Sequence, residues 1–143
     1  MKRRILLVDD DLAVLLTLKA VLELHGFEVE AAASSAEAFA RMKSGIYQMV
    51  ISDLHMETED AGLEVLRTAR GQSYHPATAL LTAYPPSDEH GDEADWTREN
   101  SDSVLIKPVG TGDLLRQVEA LLIRHADKQN SAREAQEAKH RAG

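Results

Sequence analysis

The segment Met49-Val50-Ile51-Ser52-Asp53 decides the fold, because a short apolar run leads directly into a single carboxylate. Continuous apolar runs of this length are typical of strands buried on both faces, as in a parallel sheet covered by helices. In such sheets the chemistry gathers in the crevice at the carboxyl ends of the strands. Three further runs end on polar residues in the same way: Ile5–Val8 before Asp9, Ala79–Leu81 before Thr82, and Val104–Ile106 before Lys107.

Helical spacing of apolar residues between these runs makes strands and helices alternate along the chain. We expect a doubly wound α/β fold, with a five-stranded parallel sheet, right-handed crossovers and helices on both faces. The first helix carries Leu12, Leu16 and Leu24 in its apolar pattern and ends at Gly26. The second strand alternates and is expected to be half-buried near an edge. The expected strands cover residues 4–8, 27–31, 47–52, 77–82 and 103–106.

Composition indicates one domain followed by a tail. The chain has 143 residues, a formal net charge of −8 and no cysteine. This balance argues against a nucleic-acid or anionic-membrane surface, and the lack of cysteine excludes disulfides and thiolate chemistry. No apolar run is long enough for a signal peptide or a membrane span. We expect a cytoplasmic protein with a domain at residues 1–125 and a charged tail at 126–143, either a helical extension or disordered, because no Leu, Ile, Val or Phe follows Ile123.

The residues at the strand ends suggest phosphoryl chemistry. Asp9, Asp10 and Asp53 would repel one another at one edge, and the natural neutralising ion is a hard dication such as Mg²⁺. A carboxylate beside such a metal can attack phosphorus to give an aspartyl phosphate. A Lys ammonium and a hydroxyl donor would then meet the developing charge, and Lys107 and Thr82 supply these two groups.

These residues, in this order, resemble the receiver domain of bacterial response regulators over residues 3–125. The resemblance implies a flavodoxin-like, receiver-type fold and Asp53 as the phosphoacceptor. It further implies Mg²⁺ held by Asp9, Asp10, Asp53 and the backbone carbonyl of His55. Thr82 and Lys107 would contact the phosphoryl group. The implied partners are a sensor histidine kinase or phosphotransfer protein and a downstream protein, with no direct contact to nucleic acid or membrane.

The sequence also departs from the family pattern. Glu57 stands where the family usually has proline, and Gly62 comes one residue late, which predicts a longer loop after Asp53. Val104 replaces the aromatic residue that the family uses as a switch. We therefore expect phosphorylation to order or shift the acidic segment Tyr84–Asn100 instead of moving one side chain. Rings at His55 and Tyr84 are expected to shield the acyl phosphate from water.

Two other functions fit part of the pattern. Asp9 and Asp11 also resemble the nucleophile motif of haloacid-dehalogenase-type phosphatases, although that assignment leaves Asp53 without a role. A receiver-like interaction module that is never phosphorylated is the third possibility, favoured by Val104 and the polar segment before it. Asp11 fits better as the cap of the first helix than as a metal ligand.

Overall fold

The computed structural model describes residues 3–54, 56, 58, 61–82, 103–107 and 110–142. Within these residues the chain forms one five-stranded parallel sheet between helices, which confirms the predicted fold class. The strands are β1 (Arg4–Val8), β2 (Glu28–Ala32), β3 (Met49–Asp53), β4 (Ala77–Thr82) and β5 (Ser103–Ile106). The helices are α1 (Leu12–Leu24), α2 (Ser35–Ser44), α3 (Ala61–Arg70) and α4 (Thr111–Ala142).

The strand order is β2-β1-β3-β4-β5, so the direction of winding reverses at β1. Because all pairs are parallel, the five strands end at one edge, which we call the carboxyl edge. The crevice outside β1 and β3 at this edge is the topological switch point, where open α/β sheets bind ligands. The fold therefore places its natural binding position beside the residues that follow β1 and end β3.

Local signals explain where the helices begin and end. Asp11 caps α1, since its Oδ1 accepts hydrogen bonds from the backbone N–H groups of Ala13 at 3.0 Å and Val14 at 3.3 Å. Gly26 follows α1 with φ +93°, a conformation that glycine adopts without steric penalty. Ser34 caps α2 by accepting from the N–H of Glu37 at 3.2 Å. The predicted cap at Asp11 and the predicted end of the first helix at Gly26 are confirmed.

Alternation along the strands divides the core into two layers. On one side of the sheet, α1 and α4 cover one set of strand residues, including Leu7, Ile51 and Leu81. On the other side, α2 and α3 cover Val8, Val50 and Leu80. Both faces of the central strands are thus fully buried, which is why those strands read as continuous apolar runs in the sequence.

The predicted first helix is confirmed as α1, but only one face of it is buried: Leu12, Leu16 and Leu24 lie 61%, 62% and 83% exposed. Two strand bounds differ from the prediction. The second strand is β2, an edge strand as expected, but it begins at Glu28, one residue late. The third strand begins at Met49, two residues late.

A polar cluster lies toward the amino ends of the strands, away from the carboxyl edge. Arg4 Nη2 lies 2.7 Å from Glu30 Oε1, and the hydroxyl of Tyr47 donates to Glu30 Oε2 at 2.5 Å. The Arg4 guanidinium also stacks over the Tyr47 ring, 4.9 Å from its centroid. We call Arg4, Glu30, Arg41 and Tyr47 the amino-edge cluster; it joins β1, the edge strand β2, α2 and the start of β3.

The last helix, α4, is much longer than the other three helices that the structure describes. Its last described buried side chain is Leu122, yet the backbone stays helical to Ala142, about 30 Å further at 1.5 Å per residue. His125 Nε2 lies 2.6 Å from the carbonyl oxygen of His75, which has a left-handed φ of +44°. Across the part of the chain that the structure describes, no helix is both long and apolar enough to cross a membrane.

Candidate functional site

The site lies at the carboxyl edge, beside the β1–β3 switch point. Asp9 directly follows β1, and its backbone N–H donates to the carbonyl of Ala32 at 3.1 Å, which fixes it to the end of β2. Asp53 is the last residue of β3. The sheet register places Val8 opposite Ser52, so the residues that follow them meet at the same edge.

Three carboxylates converge at this edge. One oxygen from each of Asp9, Asp10 and Asp53 can be chosen so that all lie within 4.8 Å of one another. Asp9 is fully buried, Asp53 is 8% exposed, and Asp10 faces solvent. Asp11 has turned away to cap α1, and its own N–H donates to Asp9 Oδ1 at 2.9 Å. The structure therefore brings together the three predicted acids and excludes the fourth.

Lys107 and Thr82 come from the neighbouring strands. The N–H of Lys107 donates to the carbonyl of Thr82 at 2.8 Å, which continues the β4–β5 ladder beyond the strands. Lys107 Nζ lies 2.8 Å from Asp9 Oδ2 and 3.2 Å from Asp53 Oδ1. Thr82 is 2% exposed at the end of β4. All five predicted side chains thus belong to strand ends at this edge.

Burial and charge set the proton affinities here. Burial raises the pKa of Asp53 above its usual value, and the nearby charge of Asp9 adds to this, while Lys107 opposes it. Burial lowers the pKa of Lys107, but the carboxylates of Asp9 and Asp53 outweigh that effect and raise it overall. The lysine is therefore held as a cation against carboxylates that repel each other.

The donor set fits a hard divalent cation. Three clustered carboxylates offer only oxygen ligands, which Mg²⁺ prefers. Asp9 Oδ2 is buried and accepts no aligned hydrogen bond from the described residues, although the Lys107 ammonium lies nearby as an ion pair. Asp10 is exposed and leaves the cluster open to solvent on one side. A cation that keeps several waters would suit such a half-open cluster.

Several predicted features fall outside the described residues. These are the backbone carbonyl of His55, the substituted Glu57, and the acidic segment Tyr84–Asn100 with its proposed shield Tyr84. Val104 is described and lies partly buried against the layer of α2 and α3.

Two residues at the site make close contacts with Asp53 that the sequence interpretation did not predict. Ser52 is fully buried, and its hydroxyl donates to the backbone carbonyl of Asp53 at 3.0 Å. Gly62 lies so close to β3 that a Cβ atom there would stand 1.8 Å from the Asp53 carbonyl oxygen. The sequence signals for these contacts were a hydroxyl residue inside an otherwise apolar strand and a glycine one residue later than in the family pattern.

Comparison with known proteins agrees with this geometry. The model of the response regulator receiver domain matches residues 5–119. The transcriptional regulatory protein PrrA of Mycobacterium tuberculosis is 31% identical over 131 residues, which cover 92% of this chain and 54% of that protein. A CpxR homolog of Haemophilus influenzae is 33% identical over 128 residues, covering 90% of this chain and 54% of that protein. The chain thus spans about half the length of these curated relatives.

Solved structures show the same relationship. A CheY-like receiver domain from Methanospirillum hungatei superposes with a TM-score of 0.79 at 27% identity, covering 90% of this chain and 99% of that one. The regulator TrrA of Thermotoga maritima, solved in complex with Mg²⁺-BeF, gives 0.69 at 33% identity, covering 83% of this chain and 98% of that one. On its sequence match, its strand order and its fold, this chain belongs to the receiver-domain family of response regulators, which act in two-component signalling.

Proposed function

We propose that the chain accepts a phosphoryl group on Asp53 from a phosphohistidine of a sensor histidine kinase or phosphotransfer protein, and that this changes its binding to a downstream protein. The observation that carries the proposal is the convergence of Asp53 with two further carboxylates and the Lys107 ammonium. The regulator TrrA of Thermotoga maritima, which has the same fold, was solved in complex with Mg²⁺-BeF, and this supports a role for Mg²⁺ here.

Among the acids, Asp53 suits the nucleophile best. Asp9 is 0% exposed, whereas Asp53 retains 8% exposure, so the carboxylate of Asp53 is the better presented of the two to an incoming phosphorus atom. This difference also disfavours the alternative in which Asp9 is the nucleophile of a phosphatase. The carboxylates of Asp9 and Asp53 both lie within ion-pair distance of the Lys107 ammonium.

The residues then have distinct roles. Asp9, Asp10 and Asp53 would hold Mg²⁺, with the backbone carbonyl of His55 as a further ligand. The bound metal supplies charge neutralisation between the carboxylates and the phosphoryl oxygens. A carboxylate oxygen of Asp53 attacks phosphorus, the bond from phosphorus to the donor breaks, and the leaving imidazole takes the electron pair. Lys107 donates to the transferred phosphoryl group, and the hydroxyl of Thr82 donates to another of its oxygens.

The experiment is direct labelling with a small phosphodonor. Wild-type protein and Asp53→Asn are incubated with acetyl phosphate, with and without Mg²⁺, and intact mass is followed over time. We expect a hydroxylamine-sensitive gain of one phosphoryl group in the wild type only, and only with Mg²⁺. An amide is not a nucleophile and brings no charge to the metal, so labelling of Asp53→Asn at the wild-type rate would refute the proposal.

A further inference from the structure

Ser52 occupies a position where a hydroxyl is unexpected. It is fully buried in β3, and its register neighbours on both sides, Val8 and Leu80, are apolar and buried. Alternation directs Ser52 toward α2 and α3, where Val50 and Leu54 pack, and directs Asp53 to the other side of the sheet. Burying a hydroxyl among apolar side chains is unfavourable unless it forms a hydrogen bond.

That hydrogen bond goes to the phosphoacceptor itself. Ser52 Oγ donates to the backbone carbonyl of Asp53 at 3.0 Å. The same peptide unit is held from its other side, since the N–H of Leu54 donates to the carbonyl of Leu81 at 3.0 Å. The next peptide unit is held by the carbonyl of Leu54, which accepts from the N–H of Gly62 at 3.0 Å. The backbone of Asp53 and Leu54 is therefore tied to its own strand, to β4 and to α3.

Gly62 makes the contact with α3 close. A Cβ atom at this position would lie 1.8 Å from the Asp53 carbonyl oxygen and 2.7 Å from Leu54 Cα. Because only glycine lacks that atom, the first turn of α3 rests directly on the peptide bond after Asp53. The hydrogen bond from the N–H of Gly62 to the carbonyl of Leu54 joins α3 to the backbone directly after Asp53.

We infer that Ser52 is a positioning residue for phosphorylation: its buried hydroxyl fixes the Asp53 carbonyl against the first turn of α3, and so sets the position of the carboxylate. The inference rests on the proposed role of Asp53. The Asp53 side chain must face Asp9, Asp10 and Lys107 at once. A small displacement of a reacting group can lower the rate of reaction steeply.

The test compares Ser52→Thr with Ser52→Val, which have almost the same shape and differ in the hydroxyl. Labelling by acetyl phosphate is measured at saturating Mg²⁺, well below the melting midpoints, so neither metal affinity nor unfolding enters. We expect Ser52→Thr to label within about twofold of the wild type, and Ser52→Val about threefold to tenfold slower, the range that a lost hydrogen bond produces. Equal rates for both, at the wild-type level, would overturn the inference.

A second pair of variants tests the role of the Ser52 hydroxyl without adding methyl groups to the core. Ser52→Ala removes the hydroxyl and adds nothing; its control is Ser44→Ala, which removes the exposed hydroxyl that donates to Ala40 at the end of α2. Slower labelling of Ser52→Ala with unchanged labelling of Ser44→Ala supports the inference, and equal labelling overturns it. An unlabelled wild type would instead refute the proposed function, whatever Ser52 does.

Discussion

The ammonium of Lys107 lies 2.8 Å from Oδ2 of the fully buried Asp9, closer than it lies to Asp53, at 3.2 Å. In the protein without phosphate, the lysine thus partly neutralises the carboxylates that we propose as metal ligands. A metal ion that enters the cluster is repelled by the Lys107 ammonium, which is already paired with Asp9 and Asp53. Lys107 should therefore oppose Mg²⁺ binding while it assists phosphoryl transfer.

The first prediction follows from this competition. Lys107→Met should bind Mg²⁺ about threefold to tenfold more tightly and be labelled by acetyl phosphate more slowly, because the same charge repels the metal and stabilises the phosphoryl group. Titration calorimetry at fixed ionic strength measures the affinity. Lys128→Met, which removes an exposed charge on α4, is the matched control and should match the wild type. Weaker Mg²⁺ binding by Lys107→Met would contradict the competition.

The second prediction concerns Asp53 and pH. Its folded pKa is raised, so the charged carboxylate destabilises the fold above that pKa, and the penalty disappears as pH falls through it. Without divalent cations at pH 7, Asp53→Asn should melt about 2–6 °C higher than the wild type, and the gap should close in acid. Asp127→Asn, an exposed change on α4, should leave the midpoint unchanged. A lower midpoint for Asp53→Asn at pH 7 would count against this account.

The third prediction concerns the hydrogen bond between Tyr47 and Glu30 in the amino-edge cluster. The hydrogen bond from Tyr47 lowers the pKa of Glu30, and the charges of Arg4 and Arg41 add to this against the opposing effect of burial. The stabilisation is therefore present above the unfolded pKa of Glu30 and is lost as pH falls through the folded one. Tyr47→Phe should lower the free energy of unfolding by about 1–2 kcal/mol at pH 7, and less in acid.

Denaturant unfolding across pH measures this difference, with Tyr74→Phe as the control. The hydroxyl of Tyr74 donates to the carbonyl of Met42 at 3.4 Å, an uncharged acceptor, so the effect of its loss should not narrow in acid. Labelling at Asp53 should be unchanged in both variants, because the amino-edge cluster lies at the opposite end of the sheet. A difference for Tyr47→Phe that stays constant down to acid pH would refute the role of the Glu30 charge.

The fourth prediction concerns the extended end of α4. From Ile123 to Ser131 only His125 is partly buried, so this stretch contributes little to the core. Truncation after Ala126 should lower the melting midpoint by less than about 2 °C, since few buried contacts are lost, while the helical circular dichroism signal falls. Scanning calorimetry of both lengths at two protein concentrations checks this. A drop of more than about 5 °C, or one that depends on concentration, would show that the extension packs.

The sequence predicted most of the fold because the strands are buried on both faces and therefore appear as apolar runs. The bounds of β1, β4 and β5 match the prediction. The start of β3 was predicted two residues early because Tyr47 is buried like a strand residue although it precedes the strand. The exposed Leu12, Leu16 and Leu24 show that helical spacing alone does not give the width of a buried face.

The sequence predicted which side chains would meet at the carboxyl edge, but it did not predict the contacts among them. Order along the chain placed Asp9, Asp53, Thr82 and Lys107 at one edge. It gave no reason to expect Lys107 nearer to Asp9 than to Asp53, since that depends on side-chain conformations. The hydroxyl of Ser52 was likewise missed, because its partner is a backbone carbonyl.

The most direct test of the central claim is the position of the phosphoryl group. Wild-type protein is labelled by acetyl phosphate with Mg²⁺, reduced with borohydride so that an acyl phosphate becomes a homoserine residue, digested and sequenced by tandem mass spectrometry. The account predicts homoserine at position 53 and unmodified aspartate at positions 9 and 10. Homoserine at position 9, or no conversion at position 53 despite a saturating phosphodonor, would contradict it.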